Sequence, residues 1–154
     1  MKNISLEKNI EAKFLNLIIN SNELMVKAIE SGVSEAYFRL ESSCIIFKSC
    51  FWAFDNHKKL TEFNFEYFCK NVCGLPSAAL VNYVPDFQSI IGLNVPYDDY
   101  DSVTSGVKYQ YLTSKFKDSL SELKDSNAGN FEEKLEEFNV DISSLLSTSE
   151  QGNF

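Results

Sequence analysis

SEAYFRLESSCIIFKSCFWAFD, residues 34–55, carries Tyr37, Leu40, Cys44, Phe47, Phe51 and Phe54 at alternating steps of three and four. That heptad spacing predicts a helix over about 35–55, with Ser34 as its N-cap and an aromatic seam for neighbouring helices to cover. Ile45 and Trp52 widen the seam, while Ser42, Ser43 and Ser49 leave small positions where a second helix can approach. Aromatic residues also favour sheets, but a strand of this length would be unusual.

Helical patterns continue on both sides. Leu6, Ile10, Phe14, Leu17 and Ile18 share one face of an N-terminal helix, with Glu7, Glu11 and Lys13 expected on the solvent side. Asn20 and Glu23 have capping-box spacing and open a second helix that ends at Gly32. Leu60 and Phe65 flank Thr61 as a hydrophobic staple, starting a helix that stops at Gly74. Pro76, Pro85 and Pro96 are expected to break the next segment into one or two short helices.

After PYDDYDS, the stripe Val103, Val107, Leu112, Phe116, Leu120 and Leu123 predicts a long helix, with Gly106 weakening its first turns. SNAGN at 126–130 reads as a loop, followed by a short helix capped by Asn130 and Glu133, and then by a last turn capped by Asp141 that carries Leu145 and Leu146. No alternating, strand-like segment appears. The expected architecture is all-α: an irregular bundle of six to seven helices around the aromatic-rich helix, forming a single domain over 1–148 with a mobile tail over 149–154.

The composition bounds the function. A chain of 154 residues with 44% hydrophobic content and 13 Phe is long and apolar enough to bury a core. Its N-terminus lacks the pattern of a signal peptide, and no run of apolar residues is long enough to span a membrane. Cys44, Cys50, Cys69 and Cys73 lie on apolar helix faces rather than in a disulfide framework, so a cytoplasmic location is expected. One arginine, Arg39, and no glycine-rich phosphate loop argue against nucleotide binding, and scattered lysines argue against direct nucleic-acid binding.

No catalytic, metal or cofactor motif stands out, and no cofactor is expected. His57 with Asp55 and a cysteine is the best arrangement for a Cys-His hydrolase, but no oxyanion-type glycine sequence accompanies it. A helix C-terminal histidine beside Lys58 and Lys59 accounts for it more simply. Cys69 and Cys73, with His57 and Cys44 or Cys50, could supply zinc ligands, although their spacing matches no familiar zinc motif.

Charge is the remaining signal. Residues 1–60 carry eight Lys and Arg against seven Asp and Glu, whereas residues 61–154 carry six against fifteen. Two segments concentrate the acid: Tyr83, Asp86, Tyr97, Asp98, Asp99, Tyr100 and Asp101, and then Glu132, Glu133, Glu136 and Glu137. Tyrosine among carboxylates suits a protein interface, and an acidic field steers basic partners toward it. The expected function is therefore a small acidic protein-binding module, a stoichiometric inhibitor of a basic partner of the toxin-immunity or phage-inhibitor type. A structural or adaptor domain that self-associates through Phe47, Phe51 and Phe54 is the alternative from another class.

Overall fold

The computed structural model describes the backbone of residues 6–152 and the side chains of residues 10–144. The expectations placed on the side chains of Leu6, Leu145 and Leu146, and on residues 153–154, lie outside the described residues. The described chain forms seven α-helices and no strand, as the periodicities predict. They are α1 (Leu6–Asn20), α2 (Asn22–Glu30), α3 (Glu41–Asp55), α4 (Glu62–Tyr67), α5 (Ser77–Ile91), α6 (Tyr100–Lys124) and α7 (Phe131–Gly152). No helix among the described residues is long and apolar enough to cross a membrane.

The aromatic segment does not form one helix over 35–55. Ser34 caps a single 3₁₀ turn, Glu35–Tyr37, and α3 begins only at Glu41. The cause is Glu11, which is fully buried rather than solvent-facing. Its carboxylate accepts the backbone N–H groups of Arg39 at 2.7 Å and Leu40 at 3.4 Å, and the side-chain amide of Gln110 at 2.7 Å. The backbone at Arg39 and Leu40 thus bonds to an ionisable side chain of α1 instead of continuing a helix.

This break also changes which face of α3 packs. Ser43, Ile46, Phe47, Cys50 and Ala53 are buried, whereas Phe51 is 46% exposed. Of the three seam residues considered for self-association, Phe47 is in the core and Phe54 packs against it.

Helix α1 shares the centre of the bundle with α3. Phe14, Leu15, Asn16, Leu17 and Ile18 are buried in succession, because α2, α3, α5 and α6 all pack around it. Asn16 donates to the carbonyls of Ile90 and Leu93, each at 3.0 Å, and so fastens the end of α5 to α1. Gly106 allows α6 to approach α1 closely, since a Cβ there would lie 3.2 Å from Ile10 Cδ1.

Several boundaries follow local chemistry. Ser21 rather than Asn20 caps α2, accepting from Leu24 N, and Gly32 closes the helix at φ +82°. Thr61 caps α4 as expected, with Leu60 and Phe65 both buried. That helix passes through one π turn, Phe68–Val72, before Gly74 at φ +68° ends it. Phe65 stacks on Phe87 with ring centroids 4.5 Å apart, joining α4 to α5.

Pro85 does not break its segment: α5 runs unbroken from Ser77 to Ile91. The proline removes one hydrogen bond, to the carbonyl of Val81, but both residues lie on the exposed face where water can replace it. The buried side of the helix, Leu80, Phe87 and Ile90, is undisturbed.

Helices α6 and α7 form a hairpin. Phe116 meets Phe138 edge-on at 6.0 Å, and Ser119 Oγ donates to Asp141 Oδ2 at 3.1 Å. Asp141 therefore lies inside α7 rather than capping a final turn, and Asn130 Oδ1 accepts from Asn127 N within the loop.

Candidate functional sites

The first acidic segment is divided by the fold. A 3₁₀ turn, Tyr97–Asp99, leads into α6, and this turn presents Asp98 and Asp99 to solvent while Tyr97 is half exposed. The Tyr97 hydroxyl donates to Glu23 Oε1 on α2, and this bond is the main reason its phenol is pushed above the ordinary value. Asp101 pairs with Lys27 at 3.5 Å, and the same ammonium lies 5.1 Å from the centre of the Tyr100 ring.

Tyr100 itself is only 3% exposed and packs against Phe14, so it belongs to the core and not to a contact surface. Its hydroxyl is buried beside that of Thr104, and burial is the main reason its phenol is pushed above the ordinary value. Tyr83 engages a different helix, donating to Glu41 Oε1 of α3 at 2.7 Å. That bond, aided by burial, pushes its phenol up to about 12. Asp86 lies half-buried on α5.

Folding adds residues that the linear pattern did not connect with this segment. A groove of about 390 Å³ is lined by Glu23, Val26, Lys27, Glu30 and Tyr97. Glu23 and Glu30 are separated from Tyr97 by some seventy residues of sequence, so only the α2 packing unites them. The Glu23–Lys27–Glu30 spacing does mark one polar helix face, which is the signal that was available.

The second acidic segment lies elsewhere. Glu132, Glu133, Glu136 and Glu137 are exposed at the start of α7, beside the C-terminal half of α6, with Lys134 paired to Glu137 at 3.5 Å. A helix rise of about 1.5 Å per residue places this cluster roughly 25 Å from the Asp98–Asp101 turn. The two acidic segments do not adjoin.

A second cavity, of about 610 Å³, opens where α1 ends, α2 begins and α3 ends. Cys50, Asp55 and His57 all line it, as do Lys58 and Lys59. Burial pushes the Cys50 thiol up, the opposite of what a nucleophilic thiolate requires. His57 sits just past the end of α3 at φ +57°, as the helix C-terminal reading has it. All four cysteines are unpaired. No group of three or more His, Cys, Asp or Glu among the described residues is placed to hold a metal ion.

Set against protein-family models, curated proteins and solved structures, the chain matches none of them. The α2–Tyr97 groove is walled by glutamates and a tyrosine; the cleft at the end of α3 is lined by Asn20, Asn22, Asp55, His57, Lys58 and Lys59 over buried apolar side chains.

Proposed function

We propose that the protein is a binding module for a basic protein partner, and that the α2–Tyr97 groove receives a lysine- or arginine-bearing segment of it. The observation that carries this reading is the groove itself. Glu23 and Glu30 form its walls, Val26 and Tyr97 give it apolar contact, and Asp98, Asp99 and Asp101 extend the negative surface along one edge. Lys27 is its only basic lining residue among the described residues, held by an exposed ion pair with Asp101 worth about 0–1 kcal/mol and by the face of the Tyr100 ring.

Such a site suits a stoichiometric inhibitor, which blocks a basic cleft by occupying the place of an acidic substrate. The Glu132–Glu137 cluster then contributes long-range attraction rather than direct contact. Four free cysteines suit a reducing, cytoplasmic setting.

Titration with an arginine-rich peptide tests the reading. Glu23→Gln/Glu30→Gln is expected to weaken binding about tenfold, and rising salt to weaken the unmodified protein further. Glu132→Gln/Glu136→Gln removes the same charge and should have a much smaller effect. Equal losses in the two variants would leave only a diffuse acidic field, and the groove assignment would fall.

A further inference from the structure

Helices α6 and α7 each carry an apolar stripe that their mutual contact only half covers. On α6 the stripe is Tyr109, Leu112, Phe116, Leu120 and Leu123; on α7 it is Phe131, Leu135, Phe138 and Ile142. Phe116 meets Phe138, yet Tyr109 remains 72% exposed, Phe116 44%, Phe131 46% and Leu135 38%. The buried residues of α6, among them Tyr100, Val103 and Val107, fall at helical spacing on a different side from Phe116. The body of the bundle therefore leaves the stripes open.

The charges beside the two stripes differ in sign. Within the hairpin the facing flanks are marked by Ser119, which donates to Asp141 at 3.1 Å. At helical spacing Lys117 and Lys124 fall on the opposite flank of the α6 stripe, and Glu132 and Glu136 on the opposite flank of the α7 stripe. All four side chains are exposed, and none has an ion-pair partner among the described residues. The hairpin thus presents an apolar face with a basic rim along α6 and an acidic rim along α7.

We infer that this face pairs with the same face of a second copy of the chain. A two-fold axis parallel to the helices sets α6 of each copy beside α7 of the other and closes the four helices into an antiparallel bundle. Basic rim then meets acidic rim on both sides. The register fits, because the Phe116–Phe138 and Ser119–Asp141 contacts put Lys124 level with the Glu132–Glu136 turn and Lys117 within about one turn of Glu136. An unrelated partner would need both signs in the same order, whereas a second copy has them by symmetry. At about 1.5 Å per residue and about 10 Å per helix the face is roughly 20 Å square, the small end of specific interfaces, so a dissociation constant on the order of 10–100 μM is expected. Well below that concentration the chain is a monomer with this face open. Nothing in this inference depends on the α2–Tyr97 groove, which lies at the other end of α6.

Analytical ultracentrifugation of the full chain, from about 1 μM to about 1 mM, is the test, and the weight-average mass should rise reversibly toward that of a dimer. Lys117→Glu/Lys124→Glu makes both rims acidic, and Glu132→Lys/Glu136→Lys makes both basic. Each variant alone should self-associate at least about tenfold more weakly. Mixed in equal amounts, the two should form a heterodimer about as strong as the original dimer, since each basic rim again meets an acidic one. All four positions are exposed, so both variants are expected to fold, and their helical circular dichroism checks this. The inference is overturned by a monomer across the whole concentration range, by undiminished self-association of either variant, or by a mixture of the folded variants that stays monomeric.

Discussion

Glu11 and Cys69 are both completely buried, one accepting three hydrogen bonds and the other a thiol with Cys73 and Glu66 nearby. Removing Glu11 would leave the N–H groups of Arg39 and Leu40 unpaired in the interior, next to an orphaned Gln110 amide. Charge-assisted hydrogen bonds contribute about 1.5–3 kcal/mol each, so Glu11→Ala should lower unfolding stability by about 3 kcal/mol, read as a reduced urea midpoint. Gln110→Ala removes one neutral donor and leaves the backbone pairing intact, so a cost near 1 kcal/mol is expected. Cys69 is one of the buried thiols that contribute to behaviour at alkaline pH. Burial raises its thiol from the ordinary value of 9.0 to about 11. The unfolded chain therefore releases this proton from about pH 9, while the folded chain holds it to about pH 11. The contribution is complete below pH 9 and falls as pH rises through that window. Urea midpoints measured across it should drop less steeply in Cys69→Ala than in the unmodified protein, and identical slopes would contradict the assignment.

At the scale of elements, α5 shows how far a local signal reaches. A proline inside a helix costs about 3 kcal/mol in an unsupported case, yet α5 continues through Pro85 because Phe87 and Ile90 are anchored on the far side. Pro85→Ala restores the missing N–H, and the gain is partly offset by greater freedom of the unfolded chain. A net stabilisation of about 1–2 kcal/mol is expected, measured as a higher melting temperature. The same contrast marks what could be read from the chain. Helix type, the Thr61 and Gly32 boundaries and the 126–130 loop follow from neighbours in sequence, and they were legible there. The division of residues 34–55 was not, because the agent is a glutamate 28 residues from Arg39 and nothing local marks it as buried. The candidate sites divide likewise. Asp98, Asp99 and Tyr97 stand out by composition, whereas Glu23 and Glu30 join them only through tertiary packing, and Tyr100 looks like its neighbours until α6 turns it inward. FDNHKKL was legible only as a helix end; the cleft there is formed with Ile18, Met25 and Leu60, which other segments bring to it.

The whole molecule divides into a dense body and a lighter arm. The last buried position of α6 is Lys108, and from there to residue 144 no described side chain is fully buried. Helix α7 packs substantially on α6 alone, through contacts such as Phe116 with Phe138, while α1 is enclosed by four helices. Free energy of opening scales with the apolar surface an element shares with its surroundings, so the arm should open without the body. The charge distribution acts in the same direction. Glu132, Glu133, Glu136 and Glu137 crowd the first turns of α7, and only Lys134 offsets them there. Raising salt screens that repulsion, and the arm should gain more from it than the body. Native-state hydrogen exchange provides the measurement. Amides of α7 and of residues 112–124 are expected to exchange through local opening, well before those of Phe14 to Ile18 in α1, which should follow global unfolding. Added salt should slow exchange in the arm selectively. A single opening free energy shared by α1 and α7 would mean instead that the hairpin folds as part of the body, with its contacts worth more than their burial implies.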